Sequence, residues 1–137
     1  MSYHFSEDGL VESALEDCLH TLGWTVVTAW KKETFGPDGL LGRANTSEVV
    51  LTRCLRQALE RLNPNRPSVA YEEVARTLVQ RSSVREAARI NQEKYHLLKD
   101  GVPVSYTNAE GELVEEKLRV IDYDDYTANH FLAVRQL

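Results

Sequence analysis

Hydrophobic residues recur every three to four positions in four stretches of the chain, which predicts four helices. These helices are predicted at residues 7–22, 46–62, 67–80 and 82–99. Ser6 is a suitable N-cap for the first helix, and Ser82 or Ser83 for the fourth. Gly23 favours a stop after the first helix, and Asn63-Pro64 ends the second because a residue before proline is disfavoured in helical geometry.

Other segments have the alternating or β-branched pattern that is typical of strands. Strands are predicted at residues 24–30, 102–106, 113–122 and 130–137, with the most strand-like part of the third at 118–121. Residues 31–46 contain three glycines and a proline and are predicted to form a loop. The expected fold class is therefore α+β (α/β), with about four helices followed by a small, mainly antiparallel sheet in a single domain spanning 1–137.

Composition excludes several classes of protein. The chain has 137 residues, of which 42% are hydrophobic and 27% charged, as in one ordinary globular domain. No apolar run is long enough to span a membrane, and no signal peptide pattern opens the chain. Two cysteines, Cys18 and Cys54, are too few for a disulfide scaffold, and both fall on apolar helix faces that we expect to be buried. We expect a reduced, cytoplasmic protein without membrane contact.

The net charge of −5 is unevenly distributed along the chain. Residues 43–99 hold eleven basic and six acidic side chains, a net of +5, whereas the segments on either side are each −5. A basic middle segment indicates a surface that meets an anionic partner, either a polyphosphate or an acidic domain. The alternative is ordinary pairing of opposite charges on solvated helix faces.

The common motifs for nucleotide, serine hydrolase and zinc chemistry are missing from the sequence. There is no GxxxxGK[ST] loop, no GxSxG turn, and no ligand spacing among the histidines and cysteines. Asp122, Asp124 and Asp125 cluster, but the glycine and distal glutamate of a calcium loop are missing, so a solvated turn is expected.

Glu12 is the candidate functional residue on the first predicted helix. It lies at the edge of an apolar stripe centred on Leu15 and Leu22, with Glu16 further toward solvent. A carboxylate at such an edge can reach a site beside the sheet and bind a divalent cation. The alternative is that both glutamates are solvated charges near a helix start.

Four stretches resemble the N-terminal region of the R (restriction, HsdR) subunit of type I restriction-modification enzymes. They are ESALEDCLHTLGW at 12–24, GRANTSEVVLTRCLRQALERLNP at 42–64, NQEKYHLLKDGVPVSY at 91–106 and LRVIDYDDYTANHFLAVRQL at 118–137. The resemblance runs over nearly the whole chain in consistent order. It implies the N-terminal part of a PD-(D/E)xK nuclease domain with a restriction-endonuclease-like fold.

The resemblance also implies an activity and its partners. In the family this domain precedes motor domains that use ATP, and those domains are not in this chain. The intact protein of the family is a type I site-specific deoxyribonuclease. It cleaves unmodified foreign duplex DNA with Mg²⁺, together with modification and specificity subunits. Glu12 occupies the position resembling the family's helix glutamate, and is therefore the predicted catalytic and metal-binding residue.

The chain departs from the family pattern near its end. The family's strand aspartate and Glu-x-Lys would follow HFLAVRQL, where the sequence stops, so we expect it to be truncated before that motif and inactive as given. Neither adjacent Glu-Lys pair in the sequence replaces the Glu-x-Lys motif, because both lack the spacer residue. These pairs are Glu116-Lys117 and Glu93-Lys94, and the second lies in a predicted helix. His130 and Arg135 replace the usual aspartate and asparagine. Self-association, through strand addition at the open edge of the last strand or through helix packing, is also expected.

Two alternatives are non-catalytic. The helices and hairpin could form a DNA-binding module resembling a helix-turn-helix with a wing, in which the basic segment contacts phosphates. Against it, Arg53, Arg56 and Arg76 are scattered rather than gathered on one face for base reading. The second alternative is a docking module for other restriction subunits.

Overall fold

A computed structural model describes residues 7–30, 32–80 and 86–135 of the chain. The helices are α1 (Glu7–Thr21), α2 (Thr52–Leu62), α3 (Ser68–Val79) and α4 (Ala87–Asp100), with a short 3₁₀ helix at Tyr126–Ala128. The strands are β1 (Thr25–Thr28), β2 (Val102–Thr107), β3 (Leu113–Leu118) and β4 (Leu132–Arg135). Four helices and an antiparallel strand pair confirm the predicted α+β class. The caps predicted at Ser6 and at Ser82 or Ser83 lie outside the described residues.

The chain divides into two compact units. The first contains the described residues up to Glu33 and those from His130 onward, and the second is Thr34–Asn129. The organisation of 1–137 as a single domain stays a prediction. None of the described helices has the length and apolar character that a membrane crossing requires.

The first unit joins the two ends of the described chain through a parallel strand pair. Helix α1 ends at Gly23, whose φ of 83° favours glycine, and the Trp24 amide donates to the Leu19 carbonyl at 2.9 Å. Strand β1 then pairs with β4 in parallel, in a register running from Thr25↔Leu132 to Thr28↔Arg135. This parallel pairing was not predicted, because a strand's local pattern does not identify its partner.

Stacked rings and a side-chain hydrogen bond fix the start of this strand pair. The rings of Trp24 and Phe131 stack with their centroids 4.9 Å apart. The Thr25 hydroxyl and His130 Nε2 are 2.7 Å apart, in hydrogen-bond distance. Aromatic stacking of this kind adds to the energy of area burial, so it reinforces the register of β1 and β4.

The second unit has a hydrophobic core between α2, α3 and the β2–β3 hairpin. The antiparallel register runs from Val102↔Leu118 to Thr107↔Leu113. Alternate residues of β2 point into the core, as the alternating sequence pattern predicts. The buried cluster consists of Leu59, Ala70, Tyr71, Val74, Val102, Val104 and Leu118.

Several predicted boundaries are wrong. The fourth helix begins at Ala87 rather than near Ser82, and two other boundaries have a clear cause in side chains. The helix expected to begin at Thr46 or Ser47 begins at Thr52, because side chains hold the preceding segment in turns. There, Asn45 Oδ1 accepts from the Ser47 amide, and Glu48 Oε2 accepts from the Ala44 amide, both at 2.9 Å.

The strand expected to continue to Asp122 ends at Leu118. The next residue, Arg119, takes its backbone hydrogen bonds from a side chain instead of from β2. Its amide donates to Asn63 Oδ1, and its carbonyl accepts from Asn63 Nδ2, each at 2.8 Å. Asn63 thus replaces a strand partner at the point where β2 has no residue opposite.

Candidate functional site

Helix α1 turns its carboxylates, rather than its apolar stripe, toward β4. Glu12 and Glu16 are half-buried, whereas Leu15 and Leu22 are 58% and 73% exposed. The expectation that the stripe would be buried, with Glu16 further toward solvent, is therefore wrong. Periodicity grouped the apolar residues on one face of the helix correctly, but that face is exposed rather than buried. The carboxylates face inward instead, because a counter-ion lies opposite them.

The two cysteines, predicted to be buried on apolar helix faces, differ in exposure. Cys18, on the apolar side of α1, is exposed, and Cys54 in α2 is partly buried. The expectation that Cys18 is a buried hydrophobe is wrong for the same reason as for Leu15 and Leu22.

Arg135, the last residue of β4, is the counter-ion that faces the two glutamates. Its Nε donates to Glu12 Oε2 at 2.7 Å, and its Nη2 lies 2.5 Å from the same oxygen. Its Nη1 donates to Glu16 Oε2 at 3.4 Å. The parallel register with β1 positions this side chain, since Arg135 pairs with Thr28 at the carboxyl end of both strands.

A cavity of about 240 Å³ lies between α1 and the strand pair. Its walls combine the three charged side chains with aliphatic ones, and both glutamates belong to it. The lining residues are Glu12, Leu15, Glu16, Leu19, Val26, Ala133, Val134 and Arg135. The arrangement provides two carboxylates and one guanidinium on a partly apolar floor, within one compact unit.

Mg²⁺ is the cation that the resemblance implies for these carboxylates. Mg²⁺ is commonly held by one or two carboxylates, with waters and substrate phosphates supplying the remaining oxygens. Glu12 and Glu16 fit that pattern. Among residues 7–30, 32–80 and 86–135, no group of three or more His, Cys, Asp or Glu side chains could hold a metal. The two glutamates are thus a partial donor set.

The sequence singled out Glu12 as a candidate, but it did not place Glu16 and Arg135 beside it. Glu16 was assigned to solvent, and Arg135 was noted only as a departure from the family pattern. The available signal was a single arginine at the end of the apolar segment Phe131–Val134. That signal pointed to a charged partner, but the partner lies 123 residues away in the chain.

A Glu-x-Lys spacing was also overlooked, at Glu115 and Lys117 in β3. Both side chains lie on the exposed face of the hairpin, and they belong to the second unit, whereas Glu12 belongs to the first. The other pair considered, Glu93-Lys94, lies in α4, where Lys94 Nζ donates to the Thr77 and Leu78 carbonyls. Lys94 therefore stabilises the end of α3.

Many cations of the basic segment bind groups of the protein itself. Arg53 donates to the carbonyls of Pro37, Gly39 and Leu40, with distances from 2.7 to 3.1 Å. Arg61 donates to the Ala128 carbonyl, and Arg56 pairs with Glu60 four residues on. The ion pair of Arg56 supports the alternative that opposite charges pair on helix faces. The contacts of Arg53 and Arg61 hold loops against helix α2.

The acidic cluster at 122–125 forms a turn. Asp122 Oδ1 accepts from the amides of Asp124 and Asp125, each at 3.0 Å. The backbone hydrogen bond from Asp125 is the main reason that the pKa of Asp122 lies below its ordinary value. Asn129 Oδ1 accepts from the Asp122 amide at 2.8 Å and closes the turn. The expected turn is confirmed, although Asp122 itself is half-buried rather than solvated.

Comparisons with known proteins point to one family. The model of the family described as "Type I restriction enzyme R protein N terminus" matches residues 4–137. The chain is 35% identical over 119 residues to the Type I restriction enzyme HindI endonuclease subunit of Haemophilus influenzae. That match covers 87% of this chain and 11% of the relative, so the chain spans about a tenth of the relative's length. No solved structure matches the chain significantly.

Proposed function

Because the chain belongs to the type I restriction enzyme R protein N-terminus family, we propose that it forms part of a PD-(D/E)xK nuclease domain. The complete R subunit would be an ATP-dependent endonuclease that cuts unmodified foreign duplex DNA. It would work with modification and specificity subunits in the cytoplasm. The observation that carries this proposal is the cavity where Glu12 and Glu16 lie side by side at the end of the parallel strands.

The proposed role of Glu12 is to bind Mg²⁺, with Glu16 as a second oxygen donor from the same helix face. When bound, the metal would polarise the scissile phosphate and activate water. The protein's part is to hold the two carboxylates one helical turn apart in a cavity that aliphatic side chains also line. Leu19 and Val26 limit water on that side, which strengthens electrostatic interactions at the carboxylates.

We propose that these 137 residues do not cleave DNA by themselves. The described lining of the cavity supplies two carboxylates from one helix, which are part of a set of metal ligands. Its guanidinium, Arg135, is paired with those carboxylates rather than with a phosphate. The aspartate and Glu-x-Lys of the family would have to join them. ATP would be used by motor domains that are not in this chain.

The test is Glu12→Gln in the complete R subunit, assembled with its modification and specificity subunits. We expect cleavage of unmodified plasmid DNA to fall roughly 100-fold or more, because a neutral amide is a poor Mg²⁺ ligand. DNA-dependent ATP hydrolysis should stay near the wild-type rate, since the change is confined to the nuclease cavity. Asp17→Asn is the matched control, because Asp17 is an exposed carboxylate of the same helix.

Cleavage at the wild-type rate by the Glu12→Gln enzyme would contradict the metal role. It would leave the non-catalytic alternatives, a DNA-binding or subunit-docking module. The contacts of Arg53 and Arg61 with backbone carbonyls count against a phosphate-binding surface built from those two side chains.

A further inference from the structure

Resting on the proposed function, we infer that Arg135 competes with the divalent cation for Glu12 and Glu16. The guanidinium is then an internal counter-ion that the cation has to displace. The affinity of the site for metal depends on β4 as well as on the two glutamates. Arg135, which is not one of the carboxylates, thereby limits metal binding.

The geometry places the guanidinium on the atom that a cation would use. Nε and Nη2 of Arg135 both contact Oε2 of Glu12, at 2.7 and 2.5 Å. Nη1 extends to Oε2 of Glu16 at 3.4 Å, so a single side chain contacts both carboxylates. A hydrated Mg²⁺ bound to these oxygens would occupy the same volume, and the two cations exclude each other by size and by charge.

The charges favour exchange rather than joint occupancy. The two glutamates carry two negative charges, whereas the guanidinium of Arg135 carries one positive charge. A divalent cation in its place would neutralise both glutamates. Joint occupancy would leave two positive groups within a few ångströms, where their repulsion is strong beside a partly apolar floor.

The cluster is accessible enough to open. The side chains of Arg135, Glu12 and Glu16 are 28%, 34% and 32% exposed, so the ion pairs lie at the rim of the cavity. The backbone of Arg135 is held separately, since its carbonyl accepts from the Ala29 amide at 2.9 Å. The guanidinium can therefore swing away while β4 keeps its register with β1.

The test compares Mn²⁺ affinity, measured by electron paramagnetic resonance, in the 137-residue chain and its variants. We expect Arg135→Met to bind Mn²⁺ at least about tenfold more tightly than the wild-type chain. The substitution removes a competing charge and keeps an aliphatic side chain. Adding Glu12→Gln to Arg135→Met should cancel the gain. Arg135→Lys, which keeps the charge, should remain close to wild type.

A second measurement needs only the wild-type protein. The Nε–H resonance of Arg135 should shift toward that of a solvated arginine as Mg²⁺ is added, as the hydrogen bond to Glu12 breaks. The same titration of Glu12→Gln should leave it unchanged. This readout does not depend on whether the Arg135→Met variant folds.

The outcomes separate this inference from the proposed function. Equal Mn²⁺ affinity of wild type and folded Arg135→Met, with a loss on Glu12→Gln, would overturn the role of Arg135 and leave Glu12 as a metal ligand. An Arg135 resonance that stays fixed while the metal binds at Glu12 would do the same. Absence of any binding that depends on Glu12, in either background, would overturn both.

Discussion

At the scale of single residues, Glu116 shows how an ordinary carboxylate acquires a structural role. Its two oxygens accept from Arg66 Nε at 2.9 Å and Nη2 at 3.2 Å, and the Tyr106 hydroxyl donates to it at 2.7 Å. The hydrogen bonds from Arg66 are the main cause that lowers the pKa of Glu116, against the opposing effect of burial. The same contact raises the pKa of Arg66.

Replacing Glu116 with Gln should destabilise the protein by about 1–3 kcal/mol at pH 7, because a charge-assisted pair is lost. Since the pKa of Glu116 is lower in the folded than in the unfolded state, its contribution is fully present above the unfolded value. It is lost as the pH falls through the folded value. Urea unfolding between pH 7 and pH 3 should therefore show the difference between variant and wild type shrinking toward acid.

Glu115→Gln is the control for this prediction, because Glu115 neighbours Glu116 in β3 but points to the exposed face. Its free energy of unfolding should match wild type within about 0.5 kcal/mol. A Glu116→Gln deficit that persists unchanged at pH 3 would mean that packing, not charge, is what the substitution removes.

At the scale of secondary structure elements, Asn63 links the end of α2 to the end of β3. It is 6% exposed, and its amide group contacts both backbone groups of Arg119 and the Leu59 carbonyl. Its own carbonyl accepts from the Tyr71 hydroxyl at 2.6 Å, which adds α3 to the junction. One buried residue thus links two helices and a strand, through its side chain to Arg119 and through its backbone carbonyl to α3.

Asn63→Ala should cost about 1–3 kcal/mol of unfolding free energy, since the Arg119 amide and carbonyl lose their partners where water has limited access. Hydrogen exchange of the Arg119 amide should accelerate more than that of the β2–β3 ladder. Gln57→Ala, an exposed amide change in α2, is the control and should leave both quantities unchanged. Protection of the Arg119 amide that survives the substitution would contradict the assignment.

At the scale of the whole molecule, helix α1 leaves an apolar surface exposed. Val11 is 63% and Leu22 is 73% exposed, with Leu10 and Leu15 on the same helix also exposed. Within the part of the chain that the structure describes, β1 and β4 each pair with one strand, and their outer edges carry no further strand. Both features favour association with another chain.

We therefore expect concentration-dependent self-association of the 137-residue chain, measured by analytical ultracentrifugation. Val11→Lys together with Leu22→Lys should weaken it roughly tenfold or more, because each apolar side chain contributes about 1.5–3 kcal/mol when fully buried. Gln57→Lys with Glu110→Lys adds positive charge at exposed positions elsewhere and serves as the control. A strict monomer at high protein concentration would refute the expectation.

Local pattern determined the elements because helices and strands are set by residues a few positions apart. The four helices and the β2–β3 hairpin, with its turn near Gly111, follow from apolar periodicity and from glycine and proline stops. Helical periodicity singled out Glu12, and the family resemblance supported a metal-binding role for it. Predicted element boundaries were wrong where side chains took the hydrogen bonds of backbone amides, as Asn45 and Glu48 do before α2.

Tertiary structure alone decided which face of α1 is inward and which residues meet there. The parallel pairing of β1 with β4 brings Arg135 to Glu12 across 123 positions, and Asn63 reaches Arg119 across 56. Such contacts leave no periodic trace, because their energy depends on chain segments brought together only by folding. The inward carboxylates of α1 are stabilised by a counter-ion, and the position of that counter-ion is set by the fold.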